Sequence, residues 1–302
     1  MHKKGLILVF STAVISGFSI FINKYSVSVI NPYIFTFLKN AVVALMLSGF
    51  IFLIKDWKLF SGLTKKQWLQ LLIIGLVGGS IPFLLFFKGL SLTSAAQGAF
   101  IHKTMFIYAA ILAAVFLKEK ISKEFLIGAL LLLFGSLVSL KVLPISFGKG
   151  DLFVFLATIL WATENLISKH ALKELPARTI AWGRMFFGSF FILVYLISTS
   201  QIGLVGNLGL EQIIWTLIAS ALLFGYVFTW YSGLKYVPLS AATAVLILGS
   251  PITTFLSVLS GAGIGLKEII SAILILAGVV FAVGVKNSWE RIKLAGGKIY
   301  AR

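Results

Sequence analysis

Residues 5–24 read GLILVFSTAVISGFSIFINK, and residues 150–169 read GDLFVFLATILWATENLISK. At an offset of 145, Val9-Phe10 falls on Val154-Phe155 and Lys24 on Lys169. Both runs are continuously apolar rather than alternating, so they read as helices and not as barrel strands. About twenty residues of helix cross a hydrocarbon core of ~30 Å. The correspondence continues outward. Pro32 and Pro176 each precede the next span, and a cation sits early in each of those spans, Lys39 and Arg184. Farther on, Gly89-Leu90 matches Gly233-Leu234, and Ser94-Ala95-Ala96 matches Ser240-Ala241-Ala242. The copies are joined by a short linker from Lys141 to Gly150.

Hydropathy divides the chain into ten apolar spans, at 5–23, 33–54, 67–88, 93–117, 123–141, 151–170, 178–198, 211–233, 239–260 and 266–286. Five spans per copy is an odd number, so the second copy enters the membrane from the opposite side. Repeats of this inverted kind place a substrate site between them near the bilayer midplane. The expected fold is therefore an all-α membrane protein of ten transmembrane helices in two inverted five-helix repeats. Residues 1–145 form the first repeat, 146–288 the second, and 289–302 a basic cytoplasmic tail.

Composition supports this reading. The 302 residues are 59% hydrophobic and 12% charged, against about 25% charged in soluble domains. The longest stretch without a clear span, Thr199 to Glu211, is too short for a soluble domain. Lys3 and Lys4 before an apolar run imitate a signal peptide. No small-x-small cleavage site follows, so the run reads as a retained first helix. Cysteine is absent, which excludes disulfides and thiolate chemistry. The net charge of +17 points to topology rather than nucleic acid, because it is concentrated in short connections. One set of alternate connections and the termini carry 18 Lys and Arg, the other set 5. That asymmetry puts both termini in the cytoplasm.

The chain resembles the EamA-type members of the drug/metabolite transporter superfamily. The resemblance covers nearly everything up to Lys286. It is carried best by Leu92-Thr93-Ser94-Ala95-Ala96 and by the exit Phe116-Leu117-Lys118-Glu119-Lys120-Ile121-Ser122. It implies ten helices, an inverted repeat, a central cavity lined by the first, third and fourth helices of each half, and carriage of small metabolites, often amino-acid export. Two departures stand out. The proline usual inside the fourth span survives in the second half as Pro251, but the first half has His102-Lys103-Thr104-Met105. The acidic-basic exit is missing from the second half, which reads Leu259-Ser260-Gly261-Ala262-Gly263.

Polar groups inside the spans are the site candidates. Thr12, Ser16, Ser19 and Asn23 share one face of the first helix, and Trp161, Glu164, Asn165 and Ser168 answer from the sixth. Each stripe reads either as packing glue between helices or as cavity lining. A charge in lipid costs about 2.5–3.5 kcal/mol on insertion scales, so ionisable groups say more. Glu164, the one acid deep inside a span, and Arg184 both lie ~8–9 Å from the cytoplasmic edge at 1.5 Å per residue. Their contact reads as a structural pair or as a gate. Lys103 lies ~15 Å deep, beside His102, and must reach Glu164, water or an anionic group of a substrate. Lys39 is shallower and is expected to snorkel outward. Gln97 at the start of the fourth helix, and Tyr226 with Trp230 on the eighth, complete the candidate set.

The expected function is secondary transport of a small metabolite, an amino acid or related carboxylate or zwitterion, by alternating access and in the direction of export. A midplane lysine disfavours cations. The alternatives are a membrane-embedded enzyme, for which no convergent catalytic set is visible, and an anion-selective channel, for which no filter is visible. No phosphate-binding loop, cofactor site or metal-ligand set is recognisable. The expected partners are the metabolite, the lipid bilayer of the cell membrane and a coupling proton or ion, with no nucleic acid, in a monomer or homodimer.

Overall fold

A computed structural model describes residues 3–138, 147–261 and 263–284. The expected tail at 289–302 and most of the linker lie outside the described residues. Every regular element among the described residues is helical, as lipid requires of a chain that must satisfy its backbone internally.

In chain order, α1 spans Lys3–Val29 and α2 Pro32–Leu53. The third span is α3 (Lys65–Ile74), a π-turn (Gly75–Ser80) and α4 (Ile81–Leu90). The fourth is broken into α5 (Ala95–Lys103) and α6 (Met105–Phe116). Next come α7 (Lys123–Val138), α8 (Lys149–Ala171), α9 (Ala177–Ser198) and α10 (Leu210–Leu234). The ninth span is broken into α11 (Leu239–Leu246) and α12 (Gly249–Leu259), and α13 (Leu266–Val283) follows. Among the described residues, nine helical stretches are long and apolar enough to cross a membrane. The remaining expected span, α7, has 16 described residues, Lys123–Val138.

The prolines act locally. Pro32 opens α2, where the Asn31 side chain accepts from the Tyr33 and Ile34 amides. Pro251 has no N–H to give Ile247 O four residues back; the Ser250 amide bonds Ile247 O at 2.9 Å instead, and the helix breaks there. The fourth span breaks at Thr104 without a proline. Thr104 Oγ1 donates to Ile101 O at 2.6 Å, and the Thr104 amide bonds the same carbonyl. Such side-chain competition with the helical ladder bends helices.

Helices pack in antiparallel pairs. On α1 and α10, Gly5 meets Gly233, and Gln212 Nε2 at the far end donates to Val29 O at 2.6 Å. The same arrangement joins α4 to α8, where a methyl on Gly89 would lie 2.8 Å from Gly150 O. The two glycine pairs fall on each other under the offset seen in the sequence. Ser271 Oγ on α13 donates to Gly135 O on α7 at 2.6 Å. On α2 and α9, Tyr33 packs edge-on against Tyr195, and Trp182 Nε1 donates to Ser48 Oγ at 2.9 Å. Small residues let these backbones approach closely. The periphery exposes large apolar side chains such as Leu45, Phe52, Val115 and Ile273, which in this amount marks a surface meant for lipid. The chain is a multi-pass membrane protein.

Candidate functional site: a buried polar cluster beside an aromatic wall

The π-turn supplies the acceptors of the central cluster. Ile81 N–H reaches back to Leu76 O, and Pro82 has no N–H for Gly78 O, so that carbonyl is free to accept from elsewhere. Trp161 Nε1 donates to Gly78 O at 3.1 Å and Arg184 donates to it at 3.3 Å. The next carbonyl, Gly79 O, accepts from Asn40 Nδ2 at 3.0 Å. One local departure from α geometry thus ties α2, α8 and α9 to the third span, as π-turns at functional sites do.

Glu164 is fully buried, at 0% exposure. Its Oε1 accepts from Tyr231 Oη at 2.7 Å and from Ser168 Oγ at 2.5 Å. Its Oε2 lies 3.7 Å from the Arg184 guanidinium, which also donates to Tyr231 Oη at 3.2 Å. The expected Glu164–Arg184 contact is therefore present, with a phenol between its members. Tyr231 was not among the sequence candidates; it is one aromatic in a run of five, and its partner is remote in the chain.

Beside this cluster, Trp230 Nε1 donates to Asn165 Oδ1 at 3.0 Å, and Tyr226 stacks on Trp230. Trp230 and Asn165 are buried, whereas Tyr226 is half-buried. Trp161 heads a group of rings, with His102 at 4.8 Å, Phe83 at 5.2 Å and Phe86 at 5.4 Å between centroids. Ser16, Ser19, Gln97, His102 and Lys103 are half-buried. Ser16 sits where α1 meets Gly249, and Ser19 accepts from Asn23. Gln97 follows its N-cap Ser94, whose side chain accepts from the Gln97 amide at 3.1 Å. Among the described residues the ion pairs are Arg178–Asp56 and Arg184–Glu164, so Lys103 does not reach Glu164.

The expectation for Lys39 is corrected. It does not snorkel: it is 6% exposed, with its ammonium 4.8 Å from the Phe35 ring and 6.0 Å from the Phe83 ring. The neighbouring Asn40, held by Gly79 O, fixes that part of α2 against the π-turn and turns Lys39 inward.

Among the described residues, the broken spans pack closely together at one end. α6 packs against α11, and α11 is buried along nearly its whole length. Glu119, from the exit motif after α6, accepts from the Leu239 amide at 2.6 Å, the Ser240 amide at 3.2 Å and Ser240 Oγ at 2.7 Å. It caps a helix whose own N-cap, Pro238, makes no side-chain bond. No comparable packing joins the other two half-helices, α5 and α12, and on α12 only Gly249 is buried.

Comparison with known proteins agrees with this architecture. A solved crystal structure superposes with a TM-score of 0.77 at 17% identity, covering 96% of this chain and 100% of the other, and so shares the fold. The chain is 26% identical over 299 residues to the uncharacterized transporter YyaM of Bacillus subtilis, covering 94% of this chain and 95% of that one. It is 28% identical over 294 residues to the riboflavin transporter ImpX of Fusobacterium nucleatum, covering 92% and 97%. The profile of the EamA-like transporter family matches residues 3–141 and again 148–284. With both stretches matched, the chain belongs to the EamA-like transporter family, within the drug/metabolite transporter superfamily.

Proposed function

We propose that this protein is a secondary transporter that moves a small carboxylate or zwitterion across the cell membrane by alternating access. In this reading, ten helices form two inverted repeats, 1–145 and 146–288, with both termini cytoplasmic. The antiparallel packing of α7 on α13 and of α2 on α9 supports the inversion, because each pair would be an equivalent pair of helices running in opposite directions. The two separate family matches support the division.

The observation that carries the mechanism is the unequal packing of the broken helices. The α6–α11 end is packed together and capped by Glu119, while among the described residues α5 and α12 have no comparable packing at the other end. Discontinuous helices around a midplane site are the parts from which rocking transporters are built. The site in this reading lies at Trp161, His102 and Lys103, below the separated half-helices. The Glu164–Arg184–Tyr231 cluster anchors its floor. Export is the direction that the family resemblance implies.

The test is an uptake and efflux screen in proteoliposomes with an imposed proton gradient. Saturable flux of a carboxylate or zwitterion, trans-stimulated by the same solute, is the expected result. Flux that does not saturate and shows no exchange would instead indicate a channel.

A further inference from the structure

Resting on the transporter reading above, we propose that Lys39 and the aromatic wall beside it form a subsite for a planar aromatic monocarboxylate, with the Lys39 ammonium taking the carboxylate and the rings taking the flat body. Lys39 was not among the residues expected to line a site. Its position in the sequence matches that of Arg184, but the two cations meet different surroundings. Arg184 has a carboxylate, a phenol and a carbonyl. Lys39 is 6% exposed and, among the described residues, no carboxylate lies within ion-pair distance of it. Two phenyl faces are its partners. A cation–π contact is worth about 0.5–2 kcal/mol, less than the several kcal/mol that desolvating an ammonium costs. The shortfall favours an anion at this place.

The ring geometry says what the anion is attached to. Phe83 contacts the Lys39 ammonium and lies 79° from the Trp161 plane. Trp161 is inclined 60° to Phe86 and 66° to His102. These are edge-to-face contacts, and Phe83 also stacks on Phe87; Phe83, Phe86 and His102 are half-buried, so part of the ring surface stays open to a planar guest. His102 Nδ1 is buried and has no hydrogen-bond partner, and neither has Asn40 Oδ1 beside Lys39. Asn40 Oδ1 only accepts, so a guest that carries a hydroxyl or amino donor besides its carboxylate can satisfy it. Among the described residues, Lys39 is the one cation that lies over a ring of this wall, which suits a monoanion.

The test is calorimetric titration of the protein in nanodiscs of zwitterionic lipid, corrected against empty nanodiscs. Four probes isolate the features: 2-naphthoate, naphthalene-2-carboxamide, 2-naphthylmethylammonium and cyclohexanecarboxylate. Naphthoate is expected to bind about tenfold or more tighter than each of the other three, a difference of about 1.4 kcal/mol or more. Lys39→Met should abolish the preference of carboxylate over carboxamide while leaving carboxamide binding intact. Lys39→Arg should retain the preference, which guards against a folding defect. Phe83→Leu should weaken naphthoate and carboxamide equally. Equal binding of naphthoate and the naphthyl ammonium, an unchanged preference in Lys39→Met, or no binding of naphthoate overturns the proposal. The transporter reading fails separately. If naphthoate binds through Lys39 but no solute crosses in proteoliposomes, that reading falls and the subsite stands. If solutes cross without Lys39-dependent selectivity, the subsite falls and transport stands.

Discussion

Tyr231 donates its phenolic proton to Glu164 at 2.7 Å, and the same oxygen accepts from Arg184 at 3.2 Å. The acid and the base, 3.7 Å apart, are thus joined through a phenol as well as through space. Ser168 adds a second donor to the same carboxylate oxygen. The three partners of this buried carboxylate, Ser168, Arg184 and Tyr231, sit on three different helices, α8, α9 and α10.

The cluster is therefore expected to matter first for stability. Removing one member of a buried pair leaves an uncompensated charge and costs about 3–5 kcal/mol. Glu164→Leu should lower the midpoint of thermal denaturation in detergent strongly. Tyr231→Phe should lower it less, since one hydrogen-bond partner is worth about 1–3 kcal/mol. The double variant Glu164→Leu/Arg184→Met should recover much of the loss. A double variant no more stable than Glu164→Leu would show that Arg184 does not need the acid.

The unequal packing of the half-helices predicts unequal accessibility. The chain has no cysteine, so single cysteines can be introduced without preparation. Ser19→Cys, on half-buried α1, should react with an impermeant maleimide. Thr243→Cys, at 1% exposure on α11, should not. Glu119 accepts three hydrogen bonds at the start of α11, and bonds to a charged group are worth roughly 1.5–3 kcal/mol each. Glu119→Gln in the Thr243→Cys background should therefore raise labelling about tenfold or more, because ~1.4 kcal/mol shifts a population tenfold. Unchanged labelling would mean that the cap does not hold that end closed.

Much of this was legible in the sequence, for local reasons. Span positions follow from runs of apolar residues, and the Glu164–Arg184 contact follows from depth along two adjacent helices. The break in the ninth span was readable from Pro251. What was not legible depends on neighbours remote in the chain. Glu119 stood out as part of an exit motif, but its role is to cap a helix starting 120 residues later. The one available signal was Pro238-Leu239, a helix start with no capping side chain of its own. Lys39 was misjudged because snorkelling length was considered without Asn40, whose bond to Gly79 O fixes that face of α2 inward. The π-turn had a signal in Gly78-Gly79 ahead of Pro82, but propensity does not tell a turn from a plain kink.

The third span meets α9 at a backbone-to-backbone approach. A Cβ on Gly188 would lie 2.7 Å from both the Cα and the carbonyl oxygen of Gly79. Backbone cannot swing aside as a flexible side chain does, so Gly188→Ala must push α9 from the π-turn that Arg184 and Asn40 hold. Overpacking of this kind costs about 1–3 kcal/mol. Gly188→Ala should lower the denaturation midpoint and also impair transport. Gly203→Ala, where nothing lies within 4 Å, should do neither. Equal behaviour of the two variants would contradict the close packing.

The orientation of the chain can be settled by reporters. The connections that carry most of the basic residues gather at one end of the fold. Arg178 at the start of α9 pairs with Asp56 after α2. Lys169 Nζ donates to Leu234 O at 2.5 Å and to Val237 O at 2.8 Å, and Glu119 bonds the α11 start at Leu239. These contacts place the 54–64, 117–122, 172–176 and 235–238 connections at one end. Positive charge in short connections is retained on the cytoplasmic side. Alkaline phosphatase, active only after export, should therefore be silent when fused to the C-terminus and active when fused within the 199–210 connection. Green fluorescent protein should give the reverse pattern. The same signal at both positions would require an odd number of crossings fewer or more than the inverted-repeat reading places between them, and that reading would be lost.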